Sequence, residues 1–195
     1  MARPRTFDEA AVLDAAVQCF WSRGYEATSV RDLTRRTGLT AASLYNAFGD
    51  KRALFVRALE RYVAGSVGER MERCAALPPR QAIATFLDEV LQRSLADRER
   101  KGCLLVNTAL ELAPHDPELR RAVAGVLRRI EDFFRERVAA GQADGTFARR
   151  LPAETLARHL LGVQMGLRVL ARVRPERAVL EGVVAGALAL LDGHA

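Results

Sequence analysis

The sequence predicts an all-α protein of about nine helices, on three observations. Alanine, leucine and arginine abound while aromatic residues make up only 6% of the chain, a balance that favours helix over sheet. Apolar residues recur three or four apart along successive stretches, the period of a helix with one buried face. Glycine and proline stand where such helices would start and stop, and no stretch reads as a strand.

The first stretch, FDEAAVLDAAVQCFWSRGY, places Val12, Leu13, Ala16, Cys19 and Phe20 on one face. Gly24 is a natural stop. TSVRDLTRRTG follows, with Ser29 and Asp32 spaced as a capping box and Gly38 at its end. Thr40 caps AASLYNAF, and Asp50 caps a long helix running from Lys51 towards Pro78-Pro79. That helix is expected to be unbroken, about 25 residues or roughly 38 Å long. RQAIATFLDEVLQRSLAD is amphipathic, and GCLLVNTALELA is shorter and mostly apolar. A long helix starts near Pro117, and two more, PAETLARHLLGVQMGLRVLARV and PERAVLEGVVAGALALLDG, complete the chain. Short connectors suit a compact helical protein.

The net charge is +6 and the isoelectric point about 9.9, which attracts polyanions, nucleic acid first. Ten basic and seven acidic residues precede Val63, and twenty and seventeen follow Tyr62. Each part is therefore equally basic, and placement of the charges must locate a partner. Cys19, Cys74 and Cys103 are too few and scattered for a disulfide scaffold. A cytoplasmic setting is the simpler expectation. MARPRTFDEA lacks the apolar core of a secretion signal. The run VVAGALALL from Val183 is about half a membrane span, so no membrane partner is expected.

Val30, Leu33, Leu39, Leu44 and Phe48 can share a core with the first helix. Ala41, Ala42, Ser43, Tyr45 and Asn46 are then left outward. Two short helices joined at Gly38 have the form of a helix-turn-helix, whose second helix enters the DNA major groove. The groove is about as wide as a helix with its side chains, so small residues on the leading face let the backbone come close.

These residues also carry a family resemblance. F-x-x-x-G-Y-x-x-T-S-V (Phe20 to Val30), G-L-T (Gly38 to Thr40), S-L-Y-N-A-F (Ser43 to Phe48) and D-K-R-A-L (Asp50 to Leu54) stand in order over about 40 residues. The segment resembles the N-terminal domain of TetR-type transcriptional regulators. The resemblance implies a DNA-binding domain over residues 1–62 and an effector-binding and dimerisation domain over 63–195. It implies that Tyr45 contacts a phosphate, and that Lys51 does so with its ammonium and the helix N-terminus. Thr28 and Ser29 would do likewise. Thr28, Ser29 and Thr40 have a second reading as helix caps, compatible with the first. Ala41, Ala42, Ser43 and Asn46 would face bases. Arg3 and Arg5 would form an arm reaching phosphates or the minor groove. Arg35 and Arg36 are either part of this surface or a solvated face.

TetR-like proteins dimerise through their last two helices. Here Gly162 and Gly166, and Gly182 and Gly186, are each four apart, so small residues line one face of each helix and permit close packing. Ordinary packing within one chain is the alternative. In the apolar GCLLVNTALELA segment, Cys103, Asn107 and Glu111 form one polar stripe that needs partners, water or a ligand. Arg100, Lys101 and the helix start would favour a Cys103 thiolate. G-C-L-L-V-N also resembles a branch of TetR-like regulators, some of whose members sense electrophiles or oxidants through this cysteine and others bind small molecules. Cys103 is thus either a sensor or a small buried side chain. Cys19 reads as core, Cys74 as a residue that could be exposed, and His159 as lining the interior or a ligand cavity.

His115, His159 and His194 are far apart and lack metal-ligand spacing. No phosphate loop, nucleophile elbow or H-E-x-x-H is present. Neither an enzyme nor a cofactor or metal is expected. The reading is a homodimeric repressor of a palindromic double-stranded operator, released by a small-molecule effector or by thiol modification. The alternative is a helical small-molecule carrier or a protein-interaction adaptor with a vestigial head.

Overall fold

A computed structural model describes residues 7–192. Arg3, Arg5 and His194 lie outside them. Every regular element among the described residues is helical. The chain divides into two compact units, with the boundary between Ser66 and Val67.

The first unit holds α1 (Glu9–Arg23), α2 (Val30–Thr37), α3 (Ala41–Phe48) and α4 (Lys51–Val63). Each begins at a side-chain cap. Asp8 accepts from the amides of Ala10 and Ala11, at 2.9 and 3.2 Å. Ser29 and Asp32 close a reciprocal capping box, Thr40 accepts from Ser43 N at 3.1 Å, and Asp50 from Ala53 N at 2.7 Å. These acceptors satisfy amides that no helical turn can reach. Phe20, Tyr25 and Phe55 form the aromatic centre, with edge contacts to Phe55 at 5.0 and 5.1 Å between centroids. Leu33, Leu44 and Phe48 are buried around it, whereas Val30 and Leu39 are only half-buried. Arg61 holds both Asp14 oxygens, at 2.9 and 3.0 Å, across α1 and α4.

The expected unbroken helix after Lys51 is interrupted. Ala64–Gly68 is a π-helical turn, and α5 (Glu69–Ala75) continues beyond it. Its sequence, AGSVG, supplies the cause. Two glycines weaken the α ladder, and the Ser66 hydroxyl donates back to Tyr62 O at 2.6 Å, a competing bond that bends helices.

The second unit comprises α5, α6 (Pro79–Ala96), α7 (Leu104–Glu111), α8 (Pro117–Ala143), α9 (Ala153–Val173) and α10 (Arg177–Asp192). Phe86 of α6 packs on Phe133 and Phe134 of α8, at 5.3 and 5.0 Å between centroids. Ile130, Leu160, Leu167 and Leu180 are buried with them. Arg80 pairs with Asp192 between α6 and α10. Cys74 is fully buried; its place on the inner face of α5 removes it from the surface despite the neighbouring Pro-Pro break. His159 is exposed, not interior, because it falls about a quarter turn round α9 from the buried line of Leu160 and Leu167.

At the end of α8 the chain folds back so that Phe147, 3% exposed, lies directly on Gly141. A Cβ at 141 would run into the Phe147 ring. Gly141→Ala should therefore destabilise the protein by about 1–3 kcal/mol through overpacking, visible as a lower denaturation midpoint in urea at unchanged slope.

Candidate nucleic-acid interface

The short α3 is positioned from both ends and from beneath. Gly38 takes φ +72°, a left-handed conformation that ends α2 and turns the chain into α3. Leu44 is 1% and Phe48 6% exposed, so both anchor α3 in the core. Ala41, Ala42, Ser43, Asn46 and Ala47 are exposed, and Tyr45 is 39% exposed. The Thr40 hydroxyl donates to Ser43 Oγ at 2.9 Å, which leaves the Ser43 proton for an outside acceptor. The presented face is small, uncharged and close to the backbone.

Around it stand polar and cationic groups. Lys51 opens α4; its ammonium lies 4.4 Å from the centroid of the Tyr25 ring and 3.5 Å from Glu26 O, which restricts where that charge can point. The Ser29 hydroxyl is exposed but donates to Asp32 Oδ2 at 2.6 Å. Thr28 differs from expectation. It is fully buried, and its hydroxyl donates to Gly24 O at 2.6 Å. It locks the α1–α2 turn from inside and offers no side chain to a phosphate. Arg23 and Arg35 both reach Asp32 Oδ1, at 3.0 Å. Arg31 and Arg36 are exposed and form no ion pair among the described residues. A cleft between α2 and α3 is lined by Arg31, Thr34, Arg35, Thr40 and Ala41 among others. Arg31 was not singled out from sequence, although a signal existed: no acidic residue stands three or four positions from it, whereas Arg35 has Asp32.

In the second unit the expected polar stripe is divided. Gly102 takes φ +72° and cannot join a helix, so α7 begins two residues later with Cys103 as its N-cap. Cys103 is 5% and Asn107 7% exposed, whereas Glu111 is exposed at the last turn of an eight-residue helix. Asn107 donates to Lys101 O and accepts from Arg172 Nη1, each at 3.0 Å. Burial pushes the Cys19 and Cys74 thiols up from their ordinary pKa. On α9 and α10, Gly162, Gly166, Gly182 and Gly186 point away from the core, with nothing within 4 Å of a Cβ placed on any of them. Val169, Val173 and Leu190 are exposed beside them.

The sequence matches the family profile "Bacterial regulatory proteins, tetR family" over residues 12–58. It matches "Tetracyclin repressor-like, C-terminal domain" over residues 79–186, more than half of the chain. The chain belongs to the TetR family. It is 34% identical to the uncharacterised HTH-type transcriptional regulator YezE of Bacillus subtilis (strain 168), with 98% of this chain and 100% of the relative covered. It is 28% identical to the HTH-type transcriptional repressor ComR of Escherichia coli (strain K12), covering 87% and 82%. Among solved structures it resembles a cysteine mutant of the TetR family regulator CifR complexed with 26-base-pair operator DNA. The TM-score is 0.86 at 36% identity, over 97% of this chain and 100% of the other. This TetR-family chain is accordingly a transcriptional regulator. Among its described residues no helix is long and apolar enough to cross a membrane.

The capping box has a pH signature. Bonds from the Ser29 hydroxyl and amide, then the charges of Arg23 and Arg35, hold the Asp32 carboxyl below its ordinary pKa. A carboxylate depressed in the folded state stabilises it above the unfolded pKa, and that contribution is lost as pH falls through the lower, folded value. NMR titration should place Asp32 below a reference aspartate, and Asp32→Asn should flatten the acid limb of the melting-temperature profile.

Proposed function

We propose that the chain is a homodimeric, cytoplasmic, non-enzymatic repressor that binds a palindromic operator and leaves it when an effector occupies or modifies the second unit. Residues 1–62 form the DNA-binding head and residues 63–195 the effector and dimer part. The observation that carries this reading is the exposed, uncharged face of α3, fixed by Leu44 and Phe48 and bordered by Tyr45 and Lys51. A helix so placed fits the major groove, with cations at its edges for the backbone. A cysteine mutant of CifR, one similar regulator, has been solved in complex with double-strand operator DNA.

In this reading Ala41, Ala42, Ser43 and Asn46 face base edges, while Ser29, Thr40, Tyr45 and Lys51 position the head on phosphates. Thr28 acts through the turn it locks. Arg31 and Arg36 join the electrostatic surface, and Arg3 and Arg5 serve as the arm. The outward glycines of α9 and α10, with Val169 and Val173, form the dimer face. Dimerisation sets two α3 helices about one helical turn of DNA apart, and an effector that changes this spacing weakens binding by the same coupling energy with which DNA weakens the effector.

The effector route is either a small ligand or chemistry at Cys103, with Asn107 holding the adjoining turn. Cys103 is buried, so an oxidant reaches it only after a local opening of the structure. Binding to DNA upstream of the chain's own gene, before and after mild oxidation, separates the routes. Loss of binding that is reversed by reductant and absent in Cys103→Ser establishes the thiol route; unchanged binding removes it.

Tyr45→Phe together with Lys51→Ala should lower operator affinity at least tenfold, and should reduce the slope of log affinity against log salt by about one to two phosphate contacts. Unchanged affinity and slope would favour a carrier or adaptor.

A further inference from the structure

The interior of the second unit contains more polarity than its packing needs. Arg70 of α5, Ser94 of α6, and Gln164 and Arg168 of α9 are 7%, 3%, 3% and 6% exposed. Arg168 donates through Nη1 to Ser94 Oγ at 2.9 Å and through Nη2 to Gly102 O at 3.0 Å. Arg70 donates to Glu89 at 3.1 Å, and the same Glu89 oxygen also accepts from Arg73 at 2.8 Å. Burial, and then the like charges of Arg93 and Arg168 against the pull of Glu89, hold the Arg70 guanidinium below its ordinary pKa. The charges of Arg93 and Arg168 both act on Arg70, whose carboxylate partner Glu89 is already shared with Arg73.

Gln164 is the second observation. It sits one turn before Arg168 on the same buried face of α9, and its Oε1 is buried with no hydrogen-bond partner. An unsatisfied buried amide costs about 1–3 kcal/mol. A leucine of similar size would avoid that cost, so packing alone does not account for a glutamine here. A guanidinium and an amide one helical turn apart can grip a planar carboxylate, the amide turning its NH2 towards the anion. Leu160, Leu167 and the Phe86 ring, which lies 5.4 Å from the Arg70 guanidinium, are fully buried, so the apolar body of such a molecule enters only where these side chains part.

We propose that Arg168 and Gln164 form the head-group site of an amphipathic monocarboxylate effector, bound between α5, α6 and α9 of the second unit. The inference rests on the regulator reading above and names the chemical class that the site takes. Arg168 supplies the counter-charge, Gln164 the second hydrogen bond, and the surrounding helices hold the apolar body. Arg168 also touches the carbonyl of Gly102, the residue before Cys103, so occupancy is felt at that turn.

The test uses the full-length protein with benzoate and octanoate at millimolar concentration, their uncharged amides as shape-matched controls, and inorganic phosphate. Thermal shift and calorimetry report binding without DNA. At least one carboxylate should raise the melting temperature, with its amide and phosphate giving little. Gln164→Leu should melt higher than the parent when ligand-free and weaken carboxylate binding about tenfold. Arg168→Lys, which keeps the charge but loses the fork, should weaken it by a similar factor. The proposal is overturned if neither carboxylate binds, if the amides or phosphate match them, or if both variants bind as the parent does. Operator binding measured separately keeps the two readings distinct. Carboxylate binding by a chain that ignores DNA would sink the regulator reading and leave the anion site standing.

Discussion

An eight-residue helix cannot hold itself. Isolated helices of that length are unstable in water because nucleation costs more than a few hydrogen bonds return. Everything around α3 answers this constraint. Thr40 caps its start, Gly38 turns the chain into it, and Leu44 and Phe48 fix its inner side. With the holding done from beneath and from the ends, no residue on the outer face is needed for folding. That face can be small, uncharged and specific.

The same division of labour appears among the charges of the first unit. Asp32 gathers Arg23, Arg35 and the Ser29 cap, so these groups build the platform. Lys51 is held over Tyr25, while Arg31 and Arg36 are left to solvent. The second unit reverses the pattern. Its outward faces on α9 and α10 carry glycine and valine, and its interior carries arginine and glutamine. Apolar surface outside points to a second protein surface, and polarity inside points to something that satisfies it.

Much of the head was legible in the sequence, because its signals are local. Ser29 with Asp32, Thr40, Asp50 and Gly38 each act within four residues, and the inward pair Leu44 and Phe48 follows from helical spacing. Thr28 was misplaced because its hydroxyl turns inward to Gly24, a choice made by tertiary packing rather than by spacing. The π turn at Ala64–Gly68 was missed although its two glycines and Ser66 were readable, because helical periodicity does not register one extra residue within a turn. In the second unit, periodicity found the helices and the outward glycines. It could not tell which of many arginines is buried, so Arg168 and Gln164 went unnoticed while Glu111, on the expected stripe, proved exposed.

The central claim is that two copies of a rigidly held α3 read one two-fold site. Selection of the full-length chain against random double-stranded DNA tests this most directly. The account predicts enrichment of a palindrome whose half-sites lie about one helical turn apart. Recovery of no preferred sequence, or of a single unrepeated half-site, would contradict it.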